Sequence, residues 1–166
     1  MKNGLGVRRR LALDIFSSIE DKRIAAHELR TIMWEATLRC NLACRHCGSD
    51  CRSEAAVPDM PAADFLRTID TITPHVVPNR VLIVITGGEA LMRRDIEEVG
   101  RALYDRGYPW GIVTNGMLLD ERRLESLLRA GLHTATVSLD GFAETHNRIR
   151  RNERSYERAL GALRLL

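Results

Sequence analysis

Strand-like and helix-like segments alternate along most of this chain, and the alternation constrains its fold more than any other feature. The strand-like segments, rich in β-branched and other apolar residues, are 31–37, 80–86, 110–114 and 134–139. The helix-like segments that follow them are 61–73, 94–106, 120–130 and 155–166. Four strand-then-helix units in this order predict an α/β fold with a parallel sheet and right-handed crossovers. The continuous aliphatic run in 80–86 is typical of a strand covered on both faces.

The first 30 residues lie outside this alternation. Apolar residues recur at near-helical spacing over residues 8–28, which predicts an amphipathic helix before the core. A length of 166 residues suits one domain with a sizeable hydrophobic core. We therefore expect an N-terminal helical extension over 1–29 and one α/β domain over 30–166.

Polar or glycine-rich clusters follow every predicted strand. The first strand is followed by four cysteines, and the later ones by Gly87-Gly88-Glu89, Asn115-Gly116 and Asp140-Gly141. In parallel α/β sheets and barrels, ligands bind at the carboxyl ends of the strands. The four clusters are therefore expected to converge on one site.

All four cysteines of the chain lie within one short stretch, at positions 40, 44, 47 and 51. Three thiolates from Cys40, Cys44 and Cys47 can hold three irons of a cubane cluster and leave the fourth iron open. A structural zinc site needs a fourth ligand, which Cys51 could supply, but such sites usually bring their ligands as two separated pairs. A redox pair leaves one cysteine unexplained, and nothing marks the chain as secreted, where disulfides form. The spacing favours iron–sulfur, with zinc and then a redox or disulfide pair as alternatives.

The charge and hydropathy patterns argue against several other functions. The chain has 25 Lys and Arg residues scattered among 22 Asp and Glu residues, without the aromatic interleaving of a nucleic-acid surface. The longest aliphatic run, 81–85, is far too short to cross a bilayer. The basic N-terminus is not followed by the apolar stretch of a signal peptide. We expect no nucleic-acid partner, no membrane association and a cytoplasmic location.

Five motifs stand in register along residues 30–160. They are Cys-x3-Cys-x2-Cys at 40–47, Gly-Gly-Glu at 87–89, Thr-Asn-Gly at 114–116, Ser-x-Asp-Gly at 138–141 and His-x3-Arg at 146–150. In this order and at these strand ends, they resemble the motifs of the radical S-adenosylmethionine (SAM) superfamily. The last motif is similar to a stretch of members that carry a C-terminal SPASM domain. The cysteine loop, with residues 11–14 upstream, also resembles SPASM proteins of a bacterial rSAM/lipoprotein system.

This resemblance implies the cofactors and the chemistry. Cys40, Cys44 and Cys47 would each bind one iron of a [4Fe–4S] cluster, and SAM would chelate the open iron. Reductive cleavage of SAM would then give a 5′-deoxyadenosyl radical that removes a hydrogen atom from the substrate. The resemblance further implies a peptide or protein substrate and a reductant such as flavodoxin or ferredoxin.

The same resemblance implies the residues that bind SAM. They are His46, Gly87, Gly88, Glu89, Asn115, Ser138, Asp140 and Arg150. By type, the Glu89 carboxylate matches the methionine ammonium and the Arg150 guanidinium matches the methionine carboxylate. His46 stands where family members place a side chain near the adenine. For Asn115, a turn-forming Asn-Gly pair is the structural alternative.

The chain also departs from the family pattern. The family core is a six-stranded partial (β/α) barrel, whereas four strands are predicted here, and no cysteine of a SPASM tail follows Cys51. We therefore expect the front part of a longer protein, with open sheet edges that favour self-association. The alternative functions are a non-catalytic iron–sulfur-binding or scaffold fragment and a zinc-stapled interaction domain.

Overall fold

The computed structural model describes residues 6–55 and 57–166 of the chain. Contacts within the chain divide it into two compact units, Met1–Arg30 and Thr31–Leu166. Among the helices of the described residues, none combines the length and the hydrophobicity needed to span a bilayer.

Within its described residues, from Gly6 onward, the N-terminal unit contains one helix, α1, over Val7–Ala26. The predicted helix is confirmed, but its predicted amphipathic character is wrong. At 3.6 residues per turn, Leu13 and Ile24 lie on the opposite side of the helix from Ile15 and Ile19. All four of these side chains are exposed. The apolar residues therefore lie all around α1 and do not form one stripe. Each spacing alone suits a helix, but together the spacings do not place the residues on a single face.

A four-stranded parallel sheet forms the middle of the second unit, and its strands lie side by side in chain order. The strands are β1 Thr31–Thr37, β2 Leu82–Gly87, β3 Trp110–Thr114 and β4 Leu132–Val137. The helices are α2 Ala62–Ile72, α3 Ile96–Asp105, α4 Glu121–Arg129, α5 Ala143–Arg150 and α6 Ser155–Leu165. Each crossover advances the sheet by one strand in the same direction. This is the arrangement of a partial (β/α) barrel, which confirms the predicted fold class.

One strand begins earlier than predicted, and one helix was not predicted at all. Gly131, at φ 92°, ends α4, and the chain enters β4 at once, with Leu132 paired to Trp110. Residues 138–139, expected to end this strand, have instead left the sheet for the loop before α5. Helix α5 has eight residues and buries only His146, so no apolar repeat marks it in the sequence.

The core lies between the sheet and the helices that pack on one of its faces. Its fully buried side chains include Ile83, Ile85, Trp110 and Ile112 from the strands and Ile69, Leu103 and Leu127 from the helices. On the opposite face of β2, Leu82, Val84 and Thr86 are only half-buried. The prediction of a strand covered on both faces is therefore wrong for the described residues. Because the crossovers are all right-handed and all advance the sheet in the same direction, they place α2, α3 and α4 on the same side of the sheet.

Arg93 joins the strand layer to the segment that precedes α2. Its Nη1 donates to the carbonyl oxygens of Ala36 and Met60 at 2.8 and 3.1 Å. Its Nε and Nη2 donate to the two carboxylate oxygens of Asp95 at 2.8 and 2.6 Å. The guanidinium carbon lies 4.8 Å from the ring centre of Trp34, and the side chain is 4% exposed. A buried cation stabilises the domain only while its partners are present, because a buried charge without partners is destabilising.

Arg93→Met is expected to lower the free energy of unfolding by about 2–4 kcal/mol, because it leaves buried carbonyl acceptors and a carboxylate without their donor. The comparison variant Arg101→Met removes an exposed arginine whose Nη1 lies 3.9 Å from Asp105, and should cost less than about 0.5 kcal/mol. Urea unfolding of both variants measures the difference. Equal losses in the two variants would contradict this assignment.

The Arg93 contribution should also depend on pH. Hydrogen bonds from Arg93 hold the pKa of the Asp95 carboxyl below its usual range. A lowered carboxyl pKa adds stability above the pKa of the unfolded chain, and this stability is lost as the pH falls through the folded pKa. Part of the difference in the free energy of unfolding between the native protein and Arg93→Met should therefore disappear in acid. A difference that grows as the pH falls would contradict this.

Candidate functional site

One cavity lies at the carboxyl ends of the strands. The predicted site residues that line it are Cys40, Cys44, His46, Cys47, Gly87, Gly88, Asn115, Ser138 and Arg150. Its empty volume is about 670 Å³, including open solvent at the mouth. The cysteine loop and the segments after β2, β3 and β4 all contribute to this lining. The segments that follow the four strands therefore converge on this cavity, although Glu89 and Asp140-Gly141 of the predicted clusters do not line it.

The cysteine loop begins just beyond β1 and is closed at its base by backbone hydrogen bonds. Cys40 N donates to Arg52 O at 2.6 Å, and Arg52 N donates to Leu38 O at 3.3 Å. The middle of the loop is held on the end of α5, where Arg45 N donates to Ile149 O at 2.9 Å. The loop is thus attached both to the strand that precedes it and to a helix far along the chain.

Each of the three predicted cluster cysteines receives an N–H donor at its sulfur. The contacts are Leu42 N to Cys40 Sγ at 3.4 Å, Arg150 Nη1 to Cys44 Sγ at 3.8 Å and Cys51 N to Cys47 Sγ at 3.3 Å. Such contacts stabilise thiolates and form the outer shell of metal–thiolate sites. All three cysteines are free thiols. The donor set therefore fits an iron–sulfur cluster, whose potential responds to hydrogen bonds at its sulfurs.

Cys51 is buried, as Cys40 is. Burial, with the nearby Cys47, raises the pKa of Cys51 to about 12. Burial also raises the pKa of the Cys40 thiol, whereas Cys44 is half-buried and Cys47 exposed. Cys51 therefore remains a protonated thiol at neutral pH in the metal-free protein.

Gly87, the last residue of β2, and Gly88, which follows it, leave no room for side chains. A Cβ on Gly87 would collide with the carbonyl oxygen of Thr37, and its φ of 126° lies in a region that favours glycine. A Cβ on Gly88 would collide with the carbonyl of Arg39 and lie 3.1 Å from the Cβ of Cys40. Gly88 N donates to Thr37 O at 2.7 Å. The end of β2 is thus packed against the backbone that carries the first cysteine, and its own backbone borders the cavity.

Glu89 lies beneath the cavity and does not line it. Its side chain is completely buried, and its Oε1 accepts from Thr114 Oγ1 at 2.8 Å and Leu91 N at 3.2 Å. Its Oε2 accepts from Asn115 N at 2.7 Å. Burial raises the pKa of the Glu89 carboxyl, and these hydrogen bonds oppose the increase. The geometry departs from the expected direct contact with the methionine ammonium, because the carboxylate instead ties the end of β2 to the end of β3.

Asn115 forms the turn that was its structural alternative and also contacts the cysteine loop. Its Oδ1 accepts from Met117 N at 2.9 Å, which closes a local turn. Its Nδ2 donates to Asn41 Oδ1 at 2.8 Å and lies 3.8 Å from Cys40 Sγ. The side chain therefore shapes the turn after β3 and also reaches the cysteine loop.

Asp140 and Arg150 pair with each other. Arg150 Nε and Nη2 donate to the two oxygens of Asp140 at 2.6 and 2.9 Å. This guanidinium holds the pKa of the Asp140 carboxyl below its usual range. His46 Nε2 lies 3.5 Å from the same carboxylate. Asp140 itself is not among the residues that line the cavity, whereas Arg150 and His46 are.

His146 supports this pair and was not predicted as a site residue. It is buried, and its Nδ1 accepts from Asp140 N at 3.2 Å. Burial lowers the pKa of the imidazole, so the ring is neutral at physiological pH. The available sequence signal was its position four residues before Arg150, about one helical turn and hence on the same side of α5.

The family model described as "Radical SAM superfamily" matches residues 34–166. The chain belongs to the radical SAM superfamily. Membership implies an iron–sulfur cluster and SAM as cofactors. The resemblance inferred from the five motifs is thereby confirmed.

Several proteins of known activity are similar to this radical SAM chain. An AdoMet-dependent heme synthase of Methanosarcina barkeri (strain Fusaro / DSM 804) is 34% identical over 138 residues, which cover 82% of this chain and 39% of the synthase. A PqqA peptide cyclase of Granulibacter bethesdensis is 29% identical over 136 residues, covering 81% and 36%. The chain thus spans well under half the length of these relatives.

A solved structure with the same fold is that of SuiB from Streptococcus suis, bound to its precursor peptide SuiA. The two superpose with a TM-score of 0.64 at 16% identity, over 95% of this chain and 35% of SuiB. SuiB has also been solved bound to S-adenosylmethionine. This likeness shows that the radical SAM chain has the fold of a partial barrel.

Proposed function

We propose that this chain is the cluster- and SAM-binding part of a radical SAM enzyme, with a [4Fe–4S] cluster on Cys40, Cys44 and Cys47. The main support for this proposal is that these three thiols, each with an N–H donor at its sulfur, border the same cavity as the Gly87-Gly88 backbone. When bound, the cluster and SAM supply the 5′-deoxyadenosyl radical that takes a hydrogen atom from the substrate.

The residues of the chain bind and orient these groups. The backbone at Gly87 and Gly88 can approach the methionine part of SAM closely, because no Cβ intervenes. Ser138 and Asn115 are polar residues of the cavity lining and would bind SAM. His46, which is exposed and lines the cavity, would contact the adenine. Glu89 acts indirectly, by fixing the ends of β2 and β3.

We propose a peptide or protein as the substrate, with flavodoxin or ferredoxin as the reductant. Support comes from the PqqA peptide cyclase relative and from SuiB, which was solved with a precursor peptide. The similarity to a heme synthase favours a second candidate, a tetrapyrrole substrate. Self-association through the edge strands β1 and β4 remains a prediction.

Anaerobic reconstitution with iron and sulfide tests the proposal. We expect a brown protein with about four irons per chain, which cleaves SAM to 5′-deoxyadenosine and methionine when reduced with dithionite. A cluster without SAM cleavage would favour the non-catalytic scaffold instead. A colourless protein that retains zinc would contradict both and favour the zinc-stapled domain.

A further inference from the structure

We propose that Arg150 tunes the reduction potential of the cluster through Cys44, an inference that rests on the proposed cluster site. Arg150 Nη1 lies 3.8 Å from Cys44 Sγ, although the two residues are 106 positions apart in the sequence. The neighbouring backbone bond from Arg45 N to Ile149 O, at 2.9 Å, holds the cysteine loop and the end of α5 together at this point. The contact therefore lies where the loop and the helix are already joined.

The guanidinium is held in place by its other edge. Nε and Nη2 make a two-bond pair with Asp140 at 2.6 and 2.9 Å, which leaves Nη1 directed to the sulfur. Asp140 is itself oriented by its backbone N–H, which donates to the buried His146 at 3.2 Å. A planar guanidinium with one edge fixed cannot turn without breaking both of these bonds.

Arg150 is the charged member of the donor set. The other contacts to the sulfurs of the three cysteines, within the described residues, come from backbone amides and the neutral Asn115 amide. The Arg150 side chain is only 13% exposed, so water screens its charge weakly. The guanidinium stands between the Asp140 carboxylate and Cys44, so the positive end of the pair faces the sulfur.

A positive charge at a ligand sulfur favours the cluster state that carries the extra electron. Hydrogen bonds to the sulfurs and net charge are among the factors that set the potential of such clusters. Arg150 should therefore raise the potential and make reduction easier. This role differs from binding of the SAM carboxylate, because it operates when SAM is absent.

The test is the midpoint potential of the reconstituted protein, measured by EPR-monitored redox titration without SAM. Arg150→Met is expected to lower the reduced-to-oxidised ratio at a fixed potential about tenfold, which is about 59 mV for one electron. The matched control is Arg148→Met, which removes an exposed arginine from the same helix and should leave the potential unchanged. Equal potentials in the native protein and Arg150→Met, or equal shifts in both variants, would overturn the inference.

If Arg150→Met does not take up iron, a second variant, Arg150→Gln, is measured in its place. Arg150→Gln keeps a polar N–H while removing the charge, and it should lower the potential in the same direction. An unchanged potential in Arg150→Gln would then overturn the inference. Failure of the proposed function has a separate signature, since in that case the native chain itself takes up no cluster.

Discussion

Cys40→Ser, Cys44→Ser and Cys47→Ser are each expected to abolish assembly of the cluster, whereas Cys51→Ser is expected to leave it intact. A serine hydroxyl is a poor substitute for a soft thiolate on iron. Cys51 also lines the cavity, but its backbone N–H, which donates to Cys47 Sγ, survives the substitution. Iron and sulfide content and the visible spectrum after anaerobic reconstitution measure the outcome.

The Cys51→Ser variant separates the iron–sulfur site from the zinc alternative. A closed zinc site needs four ligands, so it would lose its metal in all four serine variants. A three-cysteine cluster loses its metal in only three of them. Loss of iron from Cys51→Ser to the same extent as from Cys44→Ser would contradict the proposed ligand set.

Gly88→Ala is expected to lower the free energy of unfolding by about 1–3 kcal/mol, since overpacking a tight contact costs this much. The added Cβ would meet the carbonyl of Arg39, whose carbon lies 2.7 Å away, and the Cβ of Cys40 at 3.1 Å. Both neighbours belong to the backbone that leads into the cysteine loop. The variant should therefore also lose iron on reconstitution. Urea unfolding and iron content measure the two effects.

Gly48→Ala is the matched control for this change. Gly48 lines the same cavity, but a Cβ built there meets nothing within 4 Å. This variant should keep both the native stability and the native iron content. If Gly88→Ala retained iron as fully as Gly48→Ala, the close packing of β2 against the cysteine loop would not matter for the site.

Local patterns were enough to predict much of the fold. Strand β3 occupies 110–114 as predicted, and Asp120 caps α4 with a 2.7 Å bond from Arg123 N. Such features depend on residues adjacent in sequence. Helix α5 was not predicted because it buries only one residue, so its sequence has no repeat of apolar residues at helical spacing.

The inner arrangement of the site depends on contacts that no local pattern encodes. Glu89 follows two glycines and therefore resembled a ligand-facing carboxylate, yet its partner Thr114 is 25 residues away and draws it into the protein. The contact of Arg150 with Cys44 depends on how α5 meets the cysteine loop. Motifs identified which residues gather at the strand ends, while packing decides which of them face the cavity.

The central claim is that SAM binds at the open iron beside Gly87 and Gly88. EPR spectroscopy of the dithionite-reduced, reconstituted chain, recorded before and after addition of SAM, tests it most directly. SAM is expected to change the shape of the cluster signal in the native protein. Identical spectra with and without SAM, in a protein with full iron and sulfide content, would contradict it.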